Sequence, residues 1–393
     1  MSKYMINTWE PESAKFWSSG GSSTANRNLW ISIPALALAF AVWMVWSVVV
    51  VNLPAIGFQY STNQLFWLTA LPGLSGATLR IFYSFMVPIF GGRKWTTIST
   101  ASLLIPAIGI GFAVQDVTTG YPTMLILALL CGFGGGNFAS SMANISFFYP
   151  KAQKGYALGM NDLASAKASF ADQAVIFKRK HNWLMCWLYT GTFGSFIGYS
   201  AGFPLLIKTQ FPDVNPLQYA FLGPLVGALA RVIGGIISDK LGGARVTVWT
   251  FAAMIAAVYG VITFLPQGGT GGNFTGFFWM FMLLFAGTGV GNASTFRMIP
   301  IIFLTERQRA AAGQPAAVQQ QAIVAANKEG AAVLGFTSAV AAYGAFFIPK
   351  SYGTSIAMTG GPDAALWGFI AFYVSCIAIT WWCYARKNAD MPC

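Results

Sequence analysis

Ten apolar stretches divide this chain, at about 29–53, 64–91, 95–115, 121–149, 183–207, 217–238, 245–265, 275–304, 331–349 and 365–385. At 1.5 Å per residue, about 20 residues cross about 30 Å of hydrocarbon. In lipid each such run must satisfy its own backbone polar groups, which makes the fold class all-α and polytopic. The alternating ten-residue segments of a closed β-barrel are absent. Composition agrees: 9% charged residues, against about 25% in soluble proteins, excludes a globular enzyme and a disordered chain. The first run is too long for a signal peptide and no small-residue cleavage site accompanies it, so it is expected to stay as a helix.

The charge distribution orients the bundle. Of 23 Lys and Arg, 18 fall in the two tails and in alternate loops, two in the intervening loops and three within the runs. The positive-inside rule then places both termini in the cytoplasm. The net charge of +12 is a topology signal, and nucleic acid is not an expected partner because the cations are spread over six loops and two tails. The expected organisation is a cytoplasmic tail (1–28), a four-helix half-bundle (29–149), a basic cytoplasmic loop (150–182), a six-helix half-bundle (183–385) and a short cytoplasmic tail (386–393).

The three cations within the runs are Arg80, Arg231 and Arg297. An arginine at mid-bilayer costs about 2.5–3.5 kcal/mol, and guanidinium cannot lose its charge by releasing a proton. All eleven Asp and Glu are expected in tails, in loops or, for Asp239, at a helix end. The simplest partner for Arg80 and Arg231 is therefore a diffusible anion in a central cavity, held by the planar five-donor fork. For Arg297, nearer its helix end, snorkelling or capping of backbone carbonyls competes equally. The one histidine, His181, is expected in a loop, so anion exchange is easier to support than proton symport through an intramembrane acid or His.

Arg80 and Arg231 belong to an internal repeat. Gly76-Ala-Thr-Leu-Arg80 and Gly227-Ala-Leu-Ala-Arg231 both run on to a glycine pair, Gly91-Gly92 and Gly242-Gly243, then to a basic residue (Lys94, Arg245) and a threonine (Thr96, Thr247). Gly134-Gly-Gly-Asn137 pairs with Gly289-Val-Gly-Asn292 in the same way. Helices 2 and 4 thus recur as 6 and 8, the parallel two-half plan of the major facilitator fold, with the substrate site between the halves. The symmetry then fails: two helices follow Asn292 in the second half, whereas Asn137 is followed only by the polar stretch Pro150 to Asn182. About ten helices stand where the repeat demands twelve.

The segments Gly132-Phe-Gly-Gly-Gly-Asn-Phe-Ala-Ser-Ser-Met-Ala-Asn-Ile-Ser-Phe-Phe-Tyr-Pro150, Thr192-Phe-Gly-Ser-Phe-Ile-Gly-Tyr-Ser-Ala-Gly-Phe203 and Lys208-Thr-Gln-Phe-Pro-Asp213 resemble bacterial nitrate/nitrite transporters of the major facilitator superfamily. The likeness runs from about Trp9 to Lys387. It implies that Arg80 and Arg231 clasp a planar anion, nitrate or nitrite, with aromatic packing from Phe40, Tyr189 and Phe193, close backbone approach at a Gly134–Asn137 turn, and Asn292 as its repeat-related partner. It also implies a gating loop in Gly235-Ile-Ile-Ser-Asp239-Lys-Leu-Gly242, with Arg245 beyond it, in a bacterial inner membrane.

Three departures stand out. The first half has Pro88 where the gating acid would fall, and the glycine-rich signature of the family's eleventh helix is reduced to Ala341-Ala-Tyr343-Gly344-Ala345. The family's fifth helix should follow Ala157-Leu-Gly-Met-Asn161, but Asp162-Leu-Ala-Ser resembles the loop after the sixth, as if a segment were lost at Gly159-Met-Asn161. The expected function is secondary transport of nitrate, nitrite or both, by exchange or proton symport. The alternative is a truncated, non-transporting paralogue that inserts in the bilayer and pairs with a full-length transporter or homologue. No cofactor, metal or disulfide framework is expected from the five cysteines, and no nucleophile, base and orienter constellation of an enzyme is present.

Overall fold

The computed structural model describes residues 9–10, 13–149, 175–266 and 271–393. The Gly159-Met-Asn161 junction and most of the central loop lie outside the described residues. Among the described residues ten helical rods follow one another: α1 (Ala14–Asn52), α2 (Thr62–Phe90), α3 (Gly92–Ala113), α4 (Tyr121–Phe148), α5 (180–210), α6 (Leu222–Leu241), α7 (Gly243–Phe264), α8 (Phe274–Ala310), α9 (Ala316–Ala342, then Gly344–Thr359 past a break at Tyr343) and α10 (Asp363–Thr380). Among the described residues nine helices are long and apolar enough to cross a membrane. The tenth rod, α5, carries His, Asn, Thr, Ser and Gly, and protein surrounds most of its length. The protein is an all-α, multi-pass membrane protein.

Several boundaries move because helices outrun their apolar stretches. The first rod begins at Ala14, within the expected tail. His181 is not in a loop; it lies in the first turn of α5, buried, with its Nδ1 2.9 Å from the Tyr384 hydroxyl. The two cations expected in outer loops, Lys208 and Lys350, sit on α5 and α9.

The repeat is written into the backbone. Gly91 has φ 80° and ψ 143°, Gly242 has φ 88° and ψ 140°, and each joins two consecutive helices at a conformation that side chains with a Cβ avoid. A second shared device is the small-residue crossing that lets membrane helices approach closely. A Cβ on Gly135 of α4 would stand 2.8 Å from the Gly76 Cα of α2, and in the other half a Cβ on Gly289 of α8 would strike the Gly227 carbonyl of α6.

The halves differ where the repeat is incomplete. In the second half α7 packs on α10 and is 50% buried. Its counterpart α3 is 28% buried. The partner that would cover it belongs to the pair the repeat demands, and only 31 residues separate Phe148 from Lys180.

One cluster ties the ends of α5, α8 and α9 together. Arg179 bonds Glu306 (3.2 Å) and Glu329 (3.1 Å), while Arg307 grips Glu329 from both Nε and Nη2. Burial pushes the Glu329 carboxyl up, but the hydrogen bonds from Arg307 and Arg179 outweigh it and hold the group below its ordinary 4.5. With the folded-state value depressed, this contribution to stability is present above the unfolded value and lost as pH falls through the folded one.

Between the halves, contacts line α2 from Asn63 to Arg80. Phe66 faces Tyr352 at 6.1 Å, Trp67 faces Phe346 at 5.8 Å, and the Thr78 and Tyr343 hydroxyls are 2.8 Å apart. At Gly73 a Cβ would lie 2.5 Å from the Ala345 backbone. The halves are zipped together at this end.

Two outcomes follow from these contacts. Gly227→Leu overpacks the α6/α8 crossing and lowers the thermal midpoint of the detergent-purified protein, for a cost of about 1–3 kcal/mol, whereas Gly235→Leu, with nothing within 4 Å of its Cβ position, leaves the midpoint unchanged. In acid titration followed by thermal midpoint, Glu329→Gln is less stable than the parent near neutrality and its acid limb is flatter; identical limbs would contradict the pairing.

Candidate anion-binding site

Arg80 lies mid-way along α2 and is 2% exposed. Its Nε donates to the Gly135 carbonyl of α4 at 3.1 Å, and its Nη1 reaches Ser338 of α9 at 3.4 Å. Three ring faces surround the guanidinium: Phe138 at 4.6 Å, Trp43 at 5.1 Å and Phe193 at 5.6 Å. Trp43 is fixed by its own indole N–H, which donates to the Pro72 carbonyl at 2.6 Å. Residues of both halves therefore close around one charge. Cation–π contacts of this kind contribute about 0.5–2 kcal/mol each, comparable with the cost of holding an arginine in the bilayer.

From Arg80 a staircase of rings leads to the second arginine. Phe193 stacks on Tyr189, with centroids 5.2 Å apart and planes 17° from parallel. Tyr189 faces Phe296 at 6.1 Å, and Phe296 lies 5.9 Å from the Arg231 guanidinium. The Tyr189 hydroxyl donates to Asn292 Oδ1 at 2.9 Å, which locks the staircase to α8. The helix supporting it is irregular. A π-helical turn, Thr190–Gly194, interrupts α5 at Phe193, and such widened turns recur at functional sites. A Cβ on Gly344 would strike the Gly194 backbone, so the break in α9 lies against this turn.

The expected site residues divide into two groups. Arg80, Phe193, Tyr189 and Asn292 are brought together, Phe40 packs beside them on Trp43 and Phe138 (5.5 and 5.9 Å), and Arg231 closes the far end. Gly134 and Asn137 are not in the cage, and they form no turn: both lie inside the continuous helix α4. Gly134 abuts the Ala39 carbonyl of α1, and the Asn137 amide donates to the Ser99 carbonyl of α3 at 3.3 Å. One residue along a helix turns the side chain by about 100°, so the neighbouring positions, Gly135 and Phe138, are the ones that meet Arg80.

Arg297 is corrected too. Its Nε donates to Asp239 at 2.7 Å, so this arginine has an acid partner at the end of α6. Of the three expected gating residues, Asp239 thus pairs across to α8, Gly242 makes the positive-φ turn, and Arg245 is exposed in the first turn of α7. Trp43, Phe138, Phe296 and Ser338 were not expected; a Trp or Phe in an apolar run carries no mark of the guanidinium beneath it.

No protein-family model matches the chain. It is 46% identical to the nitrate/nitrite transporter NarU of Salmonella typhimurium over 455 aligned positions, covering 98% of this chain and 97% of that protein. The chain belongs to the nitrate/nitrite transporter family. NarU of Escherichia coli is 45% identical over similar coverage, and the probable nitrate/nitrite antiporter NarK2 of Thermus thermophilus is 38% identical over 99% of this chain. The alignment with the Salmonella transporter is at least 62 positions longer than the 393-residue chain. Because both proteins are covered nearly end to end, that surplus is internal, and it suffices for two membrane crossings of about 20 residues each.

The pseudo-symmetry shows where the loss falls in this family member. Arg80 is touched from the opposite half by α5 and α9. The first-half counterpart of α5 is α1, and a counterpart of α9 is not among the described helices. Arg231 is half-exposed, where Arg80 is enclosed.

Tyr189→Phe leaves the buried Asn292 carbonyl oxygen without this donor, at a cost of about 1–3 kcal/mol. The expected result is a lower thermal midpoint than for Phe40→Leu, which removes only partly buried ring surface; the reverse order would show that the Tyr189–Asn292 bond does not hold the staircase.

Proposed function

We propose that the chain carries nitrate and nitrite across the bacterial inner membrane by alternating access, with both termini in the cytoplasm. Two repeat-related arginines joined by one continuous aromatic staircase carry this reading. A planar anion has in-plane oxygens for guanidinium forks and a π face for rings. Arg80 and Arg231 supply the forks in this proposal, Phe193, Tyr189 and Phe40 the faces, and Asn292 the positioning of Tyr189. Gly135 and Phe138 take the roles first given to Gly134 and Asn137.

The zipped end, from Asn63 to Arg80 on α2, is the periplasmic gate in this orientation, and the opposite end, with Asp239, Gly242 and Arg245, is the cytoplasmic one. Of the carboxylates on the bundle helices, Asp239, Glu306 and Glu329 are engaged by arginines and Asp363 stands in the first turn of α10. Exchange of one anion for another needs no titrating group in the cavity, and so it is favoured over symport through an acid. The truncated, non-transporting alternative is not favoured: the arginines and the staircase that a carrier needs are in place, and relatives matched over nearly all of this chain bear transporter names.

The test is counterflow into proteoliposomes of the purified protein. Nitrite-loaded vesicles accumulate nitrate, and Arg80→Lys abolishes uptake because a point charge replaces the planar fork. Undiminished uptake by Arg80→Lys contradicts the arginine site, and no uptake by the parent chain contradicts transport.

A further inference from the structure

Lys350 has no role in the site above. It lies on α9 twelve residues beyond Ser338, about 18 Å along the helix at 1.5 Å per residue, toward the zipped end. The side chain is half-buried. Its Nζ donates to Thr354 Oγ1 at 2.7 Å and to Asn63 Oδ1 at 3.2 Å, and it sits 4.7 Å from the Trp67 ring. Every one of these partners is neutral, and among the described residues no carboxylate lies within ion-pair distance of it. Thr354 is on its own helix, whereas Asn63 and Trp67 belong to α2 in the other half.

We propose that Lys350 is a second anion contact, at the outer mouth, which the closed gate occupies with Asn63 and Trp67 and which opening releases to an incoming anion. The proposal rests on the transport reading and its orientation. Parting of the halves at this end removes two of the three contacts and leaves an ammonium facing water with its charge uncompensated. A cation in a cleft with low-dielectric walls concentrates anions and raises their on-rate, with a steep dependence on ionic strength. Lysine suits such a transit point: its compact, strongly hydrated charge and rotatable donors attract an anion without fixing its orientation, and the planar forks of Arg80 and Arg231 lie further in. A purely structural bridge between the halves would be served by a neutral donor, without the cost of partly burying a charge. The chemical class of the ligand is a small monovalent anion.

The experiment measures initial rates of nitrate uptake and release in oriented proteoliposomes, at low and high ionic strength, for the parent chain, Lys350→Gln, Lys350→Arg, Asn63→Ala and Arg80→Lys. Expected for Lys350→Gln is an outer-side KM about tenfold higher with kcat little changed, a flatter ionic-strength dependence, and an unchanged inner-side KM. Lys350→Arg restores most of the outer-side KM. Asn63→Ala, which keeps the ammonium and removes its partner across the gate, leaves the outer-side KM at or below the parent value. An outer-side KM unaffected by Lys350→Gln, equal KM changes on both sides, or a fall in kcat alone would overturn the proposal while Arg80→Lys remains inactive. Full exchange by Arg80→Lys would overturn the arginine site and this contact with it.

Discussion

A guanidinium cannot shed its charge, and Arg80 holds one at 2% exposure inside a helix bundle. The local architecture answers that constraint. Phe138, Trp43 and Phe193 present ring faces, Gly135 presents a backbone carbonyl and Ser338 a hydroxyl. Ring quadrupoles, a backbone dipole and a hydroxyl thus solvate this guanidinium. Close helix crossings make this possible. Gly135 reaches α2 because neither it nor Gly76 has a Cβ, and the π-helical turn of α5 lies where Phe193 crosses from the other half. Arg297, paired to Asp239, belongs to the framework.

The repeat explains why two arginines stand at equivalent places in the two halves. Equivalent glycine turns at Gly91 and Gly242 and equivalent crossings at Gly76 and Gly227 give the two halves one plan. The half with six helices supplies two walls around Arg80, through α5 and α9. Among the described residues the first half offers no counterpart of α9, and its α3 is less buried than α7.

Much of this was legible in the sequence, for identifiable reasons. Apolar runs must become helices in lipid, so their number and order could be read directly, and a charge at mid-run had to mark Arg80 and Arg231. Helix ends were less legible: Ala14 and Lys180 begin rods within polar sequence, where no apolar run marks the start. On α4, Gly134 and Asn137 carry the motif and meet α1 and α3, while Gly135 and Phe138 meet the arginine. A composition-based count of loop charges could not place Lys350 within α9, or bring Asp239 to Arg297 across 58 residues of chain. Those are facts of packing, and pairing across helices leaves no local trace in sequence.

The central claim is that Arg80 and Arg231 hold one anion together across the staircase. A double-mutant cycle on nitrate binding to the purified chain, using Arg80→Lys and Arg231→Lys singly and combined, tests it most directly. Shared contact predicts that the combined loss is smaller than the sum of the single losses, by the 0.5–3 kcal/mol typical of coupled sites. Losses that add within about 0.3–0.5 kcal/mol would mean that the two arginines act on separate anions, and would contradict the account.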